Sequence, residues 1–134
     1  MPCEPFTIVL VDDEDDVRKL VGETLRMRGY KVVAFAEGAH AFLAAQQGQL
    51  DRVDLLIADV MMPEMDGRLL AQHLQELQPG MRVLFMSGYT RENVPGHFGR
   101  IAEESFLQKP FALAELFGKV RQALLDRAVC ANAW

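Results

Sequence analysis

Short apolar runs alternate with helical patterns along most of this chain. Between the runs, apolar residues recur at the three- and four-residue spacing of an amphipathic helix. The runs predict strands at about 6–11, 31–35, 54–58, 82–86 and 105–107. Alternating strands and helices are typical of βαβ units, which build a parallel sheet with helices on its faces. The pattern therefore predicts a single α/β domain.

Four of the five helical segments give clear signals. The first ends at Gly29, the second begins near Gly38, and the third covers about 68–77. The last carries an apolar stripe of Leu113, Leu116, Phe117, Val120 and Leu124. The fourth segment, 90–100, contains proline and glycine, which are unfavourable in a helix interior. We therefore expect a short or irregular fourth helix.

Composition narrows the function classes. The 134 residues suffice for one core, and half of them are apolar. The net charge of −5 comes without a basic stripe, so we expect no direct nucleic-acid binding. The apolar runs are too short to span a bilayer and the N-terminus does not resemble a signal peptide, so we expect no membrane insertion and a cytoplasmic location.

We place the domain at 1–127 and a tail at 128–134. Cys3 and Cys130 are interpreted as reduced thiols, with a disulfide between the termini as the weaker alternative.

Polar side chains follow four of the predicted strands. Asp12 and Asp13 follow the first, Asp59 the third, Ser87 the fourth and Lys109 the fifth. Because the carboxyl ends of parallel strands share one edge of the sheet, these residues are expected to converge there. Three carboxylates, a hydroxyl and an ammonium can hold a hard divalent cation and stabilise a phosphoryl group.

Each of these residues also has a plainer explanation. Acids near Asp12 would stabilise a helix N-terminus, Ser87 before a glycine suits a turn, and a single lysine is normally solvated. Asp59, however, ends an apolar run, and near Asp12 and Asp13 it would need a cation or a proton. A following Pro110 restricts the backbone of Lys109 and permits a cis bond.

The motifs in this order resemble the receiver domain of bacterial two-component response regulators. They are the acidic pair at 12–13, the segment 59–67 (DVMMPEMDG), the segment 87–90 (SGYT) and the segment 109–111 (KPF). The resemblance covers about 6–125. It implies a doubly wound, flavodoxin-like fold with a five-stranded parallel sheet of order 2-1-3-4-5 and five helices.

The resemblance also implies roles for individual residues. Asp59 would be the phosphoacceptor, and Lys109 and Ser87 would contact the phosphoryl group. Mg²⁺ would be held by Asp13 directly, by Asp12 mainly through water, by Asp59 and by the backbone carbonyl of Met61. Three further roles follow: Phe106 as the switch aromatic, Met61 and Tyr89 as residues that tune the phosphate lifetime, and a cis peptide bond between Lys109 and Pro110.

By the same resemblance, the donor would be a histidine kinase or a histidine phosphotransfer protein. Phosphorylation would change the surface of the fourth helix, fifth strand and fifth helix. The chain would be a free-standing receiver or a receiver from a hybrid sensor kinase, and it could form a homodimer. It would not be an enzyme that acts on a separate substrate.

Three other function classes were weighed. The first is a binding module of receiver fold that is never phosphorylated. The second, a Mg²⁺-dependent phosphohydrolase, is disfavoured because Met61 stands where that class wants a second acid. The third, a flavin-binding protein, is disfavoured because the acidic segment 12–16 would repel a phosphate.

Overall fold

Five parallel strands form one sheet in the order β2-β1-β3-β4-β5. The computed structural model describes residues 5–96 and 100–125. The strands are β1 (Thr7–Val11), β2 (Lys31–Phe35), β3 (Leu55–Asp59), β4 (Arg82–Ser87) and β5 (Phe106–Gln108). The predicted sheet and its strand order are confirmed.

Four α-helices surround this sheet within the described ranges. They are α1 (Asp15–Met27), α2 (Gly38–Gln46), α3 (Gly67–Leu77) and α4 (Leu113–Leu124). The last corresponds to the fifth helix of the prediction. None of the helices in 5–96 and 100–125 combines the length and the apolar character that crossing a bilayer requires. Both cysteines and the predicted tail lie outside the described residues.

The predicted fourth helix is replaced by single 3₁₀ turns in the described part of the β4–β5 connection. This segment, residues 88–105, is called the fourth connection below. Its turns are Arg91–Asn93 and Glu103–Ser105. Pro95 has no amide hydrogen for a helix, and Gly96 has a φ of 116°, outside the right-handed helical region. The prediction of a short or irregular element is confirmed for these turns, and residues 5–96 and 100–125 contain four α-helices where the prediction had five.

Apolar side chains fill both faces of the sheet. Ile8 and Leu10 of β1 face the layer of α1 and α4, and Val9 faces the layer of α2 and α3. This follows from the alternation of side chains along a strand. Every residue of β3 is buried, as expected for a central strand covered on both sides. Both faces of the sheet are therefore covered by helices, and the polar residues Asp12, Asp59 and Ser87 lie at its carboxyl edge.

Apolar packing fastens the fourth connection to this edge. Val94 and Ile101 pack with Val60, the residue after Asp59, and with Phe106 at the start of β5. The described residues of the connection, 88–96 and 100–105, therefore contact residues next to the candidate site and form 3₁₀ turns.

Arg68 adds a polar fastening. Its side chain is 6% exposed, and it pairs with the Asp66 carboxylate at 2.8 Å. The same guanidinium donates a short hydrogen bond to the backbone carbonyl of Pro95. The start of α3 is thereby linked to the fourth connection.

Candidate functional site

Asp59 is the last residue of the buried strand β3, and both of its carboxylate oxygens have partners. Oδ1 accepts a hydrogen bond from the Met61 amide at 3.0 Å. Oδ2 accepts one from Lys109 Nζ at 2.8 Å. The side chain is 9% exposed. The carboxylate is therefore held in one orientation at the mouth of the sheet edge.

Asp12 follows β1 and is fully buried. Its Oδ1 accepts a hydrogen bond from the Glu14 amide at 2.8 Å. Its Oδ2 lies 2.9 Å from Lys109 Nζ, but no described group donates a hydrogen bond to it with acceptable geometry. Burial raises the pKa of Asp12, although the Glu14 amide and the Lys109 ammonium oppose that shift. The site thus contains a buried carboxylate oxygen that has an ion-pair partner but no well-aligned hydrogen-bond donor among the described residues.

The Lys109 ammonium lies at the centre of the acidic residues. Besides Asp12 and Asp59, it binds Glu14 Oε1 at 2.9 Å. Burial alone would lower the pKa of Lys109, but the hydrogen bonds to Asp59 and Glu14 and the negative charge of nearby Asp12 raise it above its ordinary value. The Lys109 amide donates to the Ser87 carbonyl at 2.7 Å. The peptide bond from Lys109 to Pro110 is cis.

The acidic cluster differs from the predicted set by one residue. Carboxylate oxygens of Asp12, Glu14 and Asp59 all lie within 4.8 Å of one another. Asp13 is exposed and is not a member of this cluster. Glu14 was not predicted, because an acid next to a helix start is already explained by the helix dipole. The available signal was Asp12, since an aspartate side chain often binds the amide two residues ahead and so fixes that residue.

Ser87, Met61 and Tyr89 lie around a cavity of about 540 Å³ that also reaches Asp59 and Lys109. Ser87 is 1% exposed, and its Oγ accepts a hydrogen bond from the Tyr89 amide at 3.0 Å. Met61 and Tyr89 are 42% and 49% exposed. The hydroxyl is thus buried in the wall of the cavity, while the two large side chains that line the same cavity are partly exposed to solvent.

Gly67, the first residue of α3, packs directly against the backbone of Asp59 and Val60. A Cβ at this position would lie 3.0 Å from the Asp59 carbonyl carbon and 3.2 Å from Val60 Cα, and it would overlap the Asp59 carbonyl oxygen. The Gly67 amide donates to the Val60 carbonyl at 2.8 Å. Only glycine permits so close an approach of α3 to the backbone that carries Asp59.

The model of the response regulator receiver domain family matches residues 8–121. The chain belongs to this family. Receiver domains are phosphoacceptor switches of two-component signalling, and the acidic cluster of this receiver domain fits that chemistry.

Two relatives come from Brucella abortus (strain 2308). The receiver domain is 37% identical over 118 residues to the sensor kinase CckA, a match that covers 88% of this chain and 12% of CckA. It is 30% identical over 118 residues to the response regulator receiver protein CpdR, covering 88% of this chain and 96% of CpdR. The chain therefore spans only a small part of the first relative and nearly all of the second.

Solved structures agree with the fold. The crystal structure of the receiver domain of the hybrid histidine kinase CckA has a TM-score of 0.72 at 35% identity, covering 88% of this chain and 98% of that one. The response regulator TrrA from Thermotoga maritima, in complex with Mg²⁺-BeF, has a TM-score of 0.70 at 25% identity, covering 89% and 99%.

Proposed function

We propose that Asp59 accepts a phosphoryl group from the phosphohistidine of a histidine kinase or histidine phosphotransfer protein. A carboxylate oxygen forms the new bond to phosphorus, the phosphorus–nitrogen bond breaks, and its electron pair returns to the imidazole. The observation that carries this proposal is the buried Asp59 carboxylate held 2.8 Å from the Lys109 ammonium. Phosphoryl transfer needs little more than such positioning and charge neutralisation.

A divalent cation fits this donor set. Three carboxylates and one ammonium leave two negative charges, and the Asp12 Oδ2 oxygen lacks a hydrogen-bond donor among the described groups. We propose that Mg²⁺ is held directly by Asp13 and Asp59, mainly through water by Asp12, and by the Met61 carbonyl, with further waters completing a shell of hard oxygen ligands. Asp13 enters this set through the family pattern, whereas the acidic cluster of the structure contains Glu14. When bound, the ion would neutralise charge on the phosphoryl oxygens.

Lys109 and Ser87 would serve the phosphorylated state. The Lys109 ammonium would neutralise one phosphoryl oxygen. The Ser87 hydroxyl, which accepts a hydrogen bond from the Tyr89 amide in this structure, would donate a hydrogen bond to a second phosphoryl oxygen. Because the phosphoryl group would make these contacts better in one conformation of the domain than in the other, phosphorylation would shift the population toward that conformation.

Phe106 would transmit the change to the surface. It is 7% exposed and packs with Val60 beside Asp59 and with Ile101 of the fourth connection. Its movement toward Ser87 would rearrange the surface formed by the fourth connection, β5 and α4. This packing supports the predicted output surface, with the fourth connection in place of a fourth helix.

Other features remain predictions. Met61 and Tyr89 line the cavity that reaches Asp59 and are partly exposed, which supports a role in limiting the access of water to an aspartyl phosphate. We further propose a domain over 1–127 with a tail at 128–134, a cytoplasmic location, homodimer formation, and a role as a free-standing receiver or as the receiver of a hybrid sensor kinase.

Intact mass after incubation with acetyl phosphate tests the proposal. The wild type is expected to gain a single phosphoryl adduct only when Mg²⁺ is present, and Asp59→Asn to gain none. Asp16→Asn removes an exposed acid from the first turn of α1 and should behave as the wild type. Equal labelling of wild type and Asp59→Asn would contradict the assignment of Asp59. A folded wild type labelled neither by acetyl phosphate nor by a phosphorylated histidine phosphotransfer protein would favour the nonphosphorylated binding module.

A further inference from the structure

Glu14 binds the Lys109 ammonium but has no role in the chemistry proposed above. Its side chain is 58% exposed, whereas that of Lys109 is 13% exposed and that of Asp59 is 9% exposed. Of the three carboxylates around the ammonium, Glu14 is therefore the one at the rim of the site. It makes no side-chain cap for α1, and its Oε1 is directed at Lys109 instead.

The ammonium and a divalent cation would compete for the same oxygens. Lys109 Nζ lies 2.9 Å from Asp12 Oδ2 and 2.8 Å from Asp59 Oδ2. Both carboxylates belong to the ligand set proposed for Mg²⁺. A cation can engage them fully only if the ammonium withdraws. A largely buried ammonium left without a partner would destabilise the domain, so its withdrawal requires another acceptor.

We propose that Glu14 is a positioning residue that keeps Lys109 at the rim of the site when a cation takes Asp12 and Asp59. This inference rests on the proposed function. A charge-assisted hydrogen bond to Glu14 Oε1 lowers the free-energy cost of moving the Lys109 ammonium away from Asp12 and Asp59. It also keeps the ammonium within reach of a phosphoryl oxygen. The base of Glu14 is itself fixed, because its amide binds Asp12 Oδ1 at 2.8 Å.

Isothermal titration calorimetry with Mg²⁺ tests the role of Glu14 directly. Glu14→Gln keeps the side-chain shape and removes the charge, and we expect it to raise the Mg²⁺ dissociation constant about tenfold. Asp16→Asn is the matched control, since it removes one exposed acid of the same loop and helix start. It should change the constant less than about twofold, as expected for a screened surface charge.

The same titration in a Lys109→Met background separates positioning from direct ligation. If Glu14 acts through Lys109, the tenfold effect of Glu14→Gln shrinks there to that of Asp16→Asn. An undiminished effect would overturn the proposal and make Glu14 a cation ligand. So would a dissociation constant for Glu14→Gln equal to that of Asp16→Asn in the native background. A wild type that binds no Mg²⁺ would instead refute the proposed function itself.

A second measurement covers the event that Lys109→Met does not fold. In Mg²⁺-loaded wild type, the ¹⁵Nζ resonance of Lys109 should stay visible, because an ammonium bound to Glu14 exchanges slowly with water. In Mg²⁺-loaded Glu14→Gln it should broaden beyond detection. Equal line widths in the two proteins would overturn the proposal.

Discussion

The substitution Gly67→Ala tests how the start of α3 supports Asp59. The added methyl group meets three backbone atoms of residues 59 and 60, and no flexible side chain lies there to give way. The helix start and the end of β3 must therefore separate, and the hydrogen bond from the Gly67 amide to the Val60 carbonyl must lengthen.

The distances set the size of the effect. Atoms in favourable contact lie near 3.5 Å, so relieving the overlap with the Asp59 carbonyl requires a shift of about 1 Å. Overpacking of this kind costs about 1–3 kcal/mol of stability. A displacement of about 1 Å at a reacting group can slow its chemistry about 100-fold. We expect both losses together.

Urea unfolding and the rate of phosphorylation by acetyl phosphate measure the two effects. Gly118→Ala is the control, because Gly118 lies on the exposed side of α4 and a Cβ there meets nothing within 4 Å. It should stabilise the domain by up to about 1 kcal/mol through helix propensity. A Gly67→Ala protein as stable and as rapidly phosphorylated as wild type would refute the argument from close approach.

Three further predictions concern the buried polar groups and the cavity. Asp12→Asn should stabilise the cation-free domain near neutral pH and abolish stabilisation by Mg²⁺ in thermal melts. Because burial raises the folded-state pKa of Asp12 above 3.8, wild-type stability falls as pH rises from there through that pKa, and the variant should lose this slope; an unchanged slope would assign it to another group. Arg68→Met should cost about 2 kcal/mol in urea unfolding, since it removes the ion pair with the Asp66 carboxylate and the hydrogen bond to the Pro95 carbonyl, whereas exposed Arg121→Met should cost less than about 0.5 kcal/mol. Met61→Asn should change the lifetime of the aspartyl phosphate, followed by intact mass after donor removal, and an unchanged lifetime would count against a rate-tuning role for Met61.

The sheet and most helices could be predicted because their signals are physical requirements of the fold. A parallel strand covered on both faces must be apolar along its length, and the segment 55–58 shows this directly. Strand ends then locate Asp12, Asp59 and Lys109 at one edge without knowledge of any side-chain contact. The structure brings these three side chains into direct contact.

Glu14, Arg68 and the depth at which Gly67 packs could not be predicted in the same way. An acid near a helix start, an arginine in a first helical turn and a glycine after an aspartate each have a common local explanation. Their actual partners, Lys109, Pro95 and the Asp59 backbone, are distant in sequence or depend on how closely two elements approach. Local pattern carries no information about such contacts.

The contacts of Lys109 also bear on when the site forms. Its bond to Asp59 joins residues 50 apart in sequence, and its bond to Glu14 joins residues 95 apart. Contacts that close such long loops form late in folding, after the entropy of the chain has been reduced by other structure. Lys109 directly follows β5 in the sequence. A partly folded chain in which β5 is not yet in place would therefore have the carboxylates of the site without the Lys109 ammonium. We therefore expect Asp59 to be phosphorylated only after the whole domain has folded, and a partly folded domain to transmit no signal.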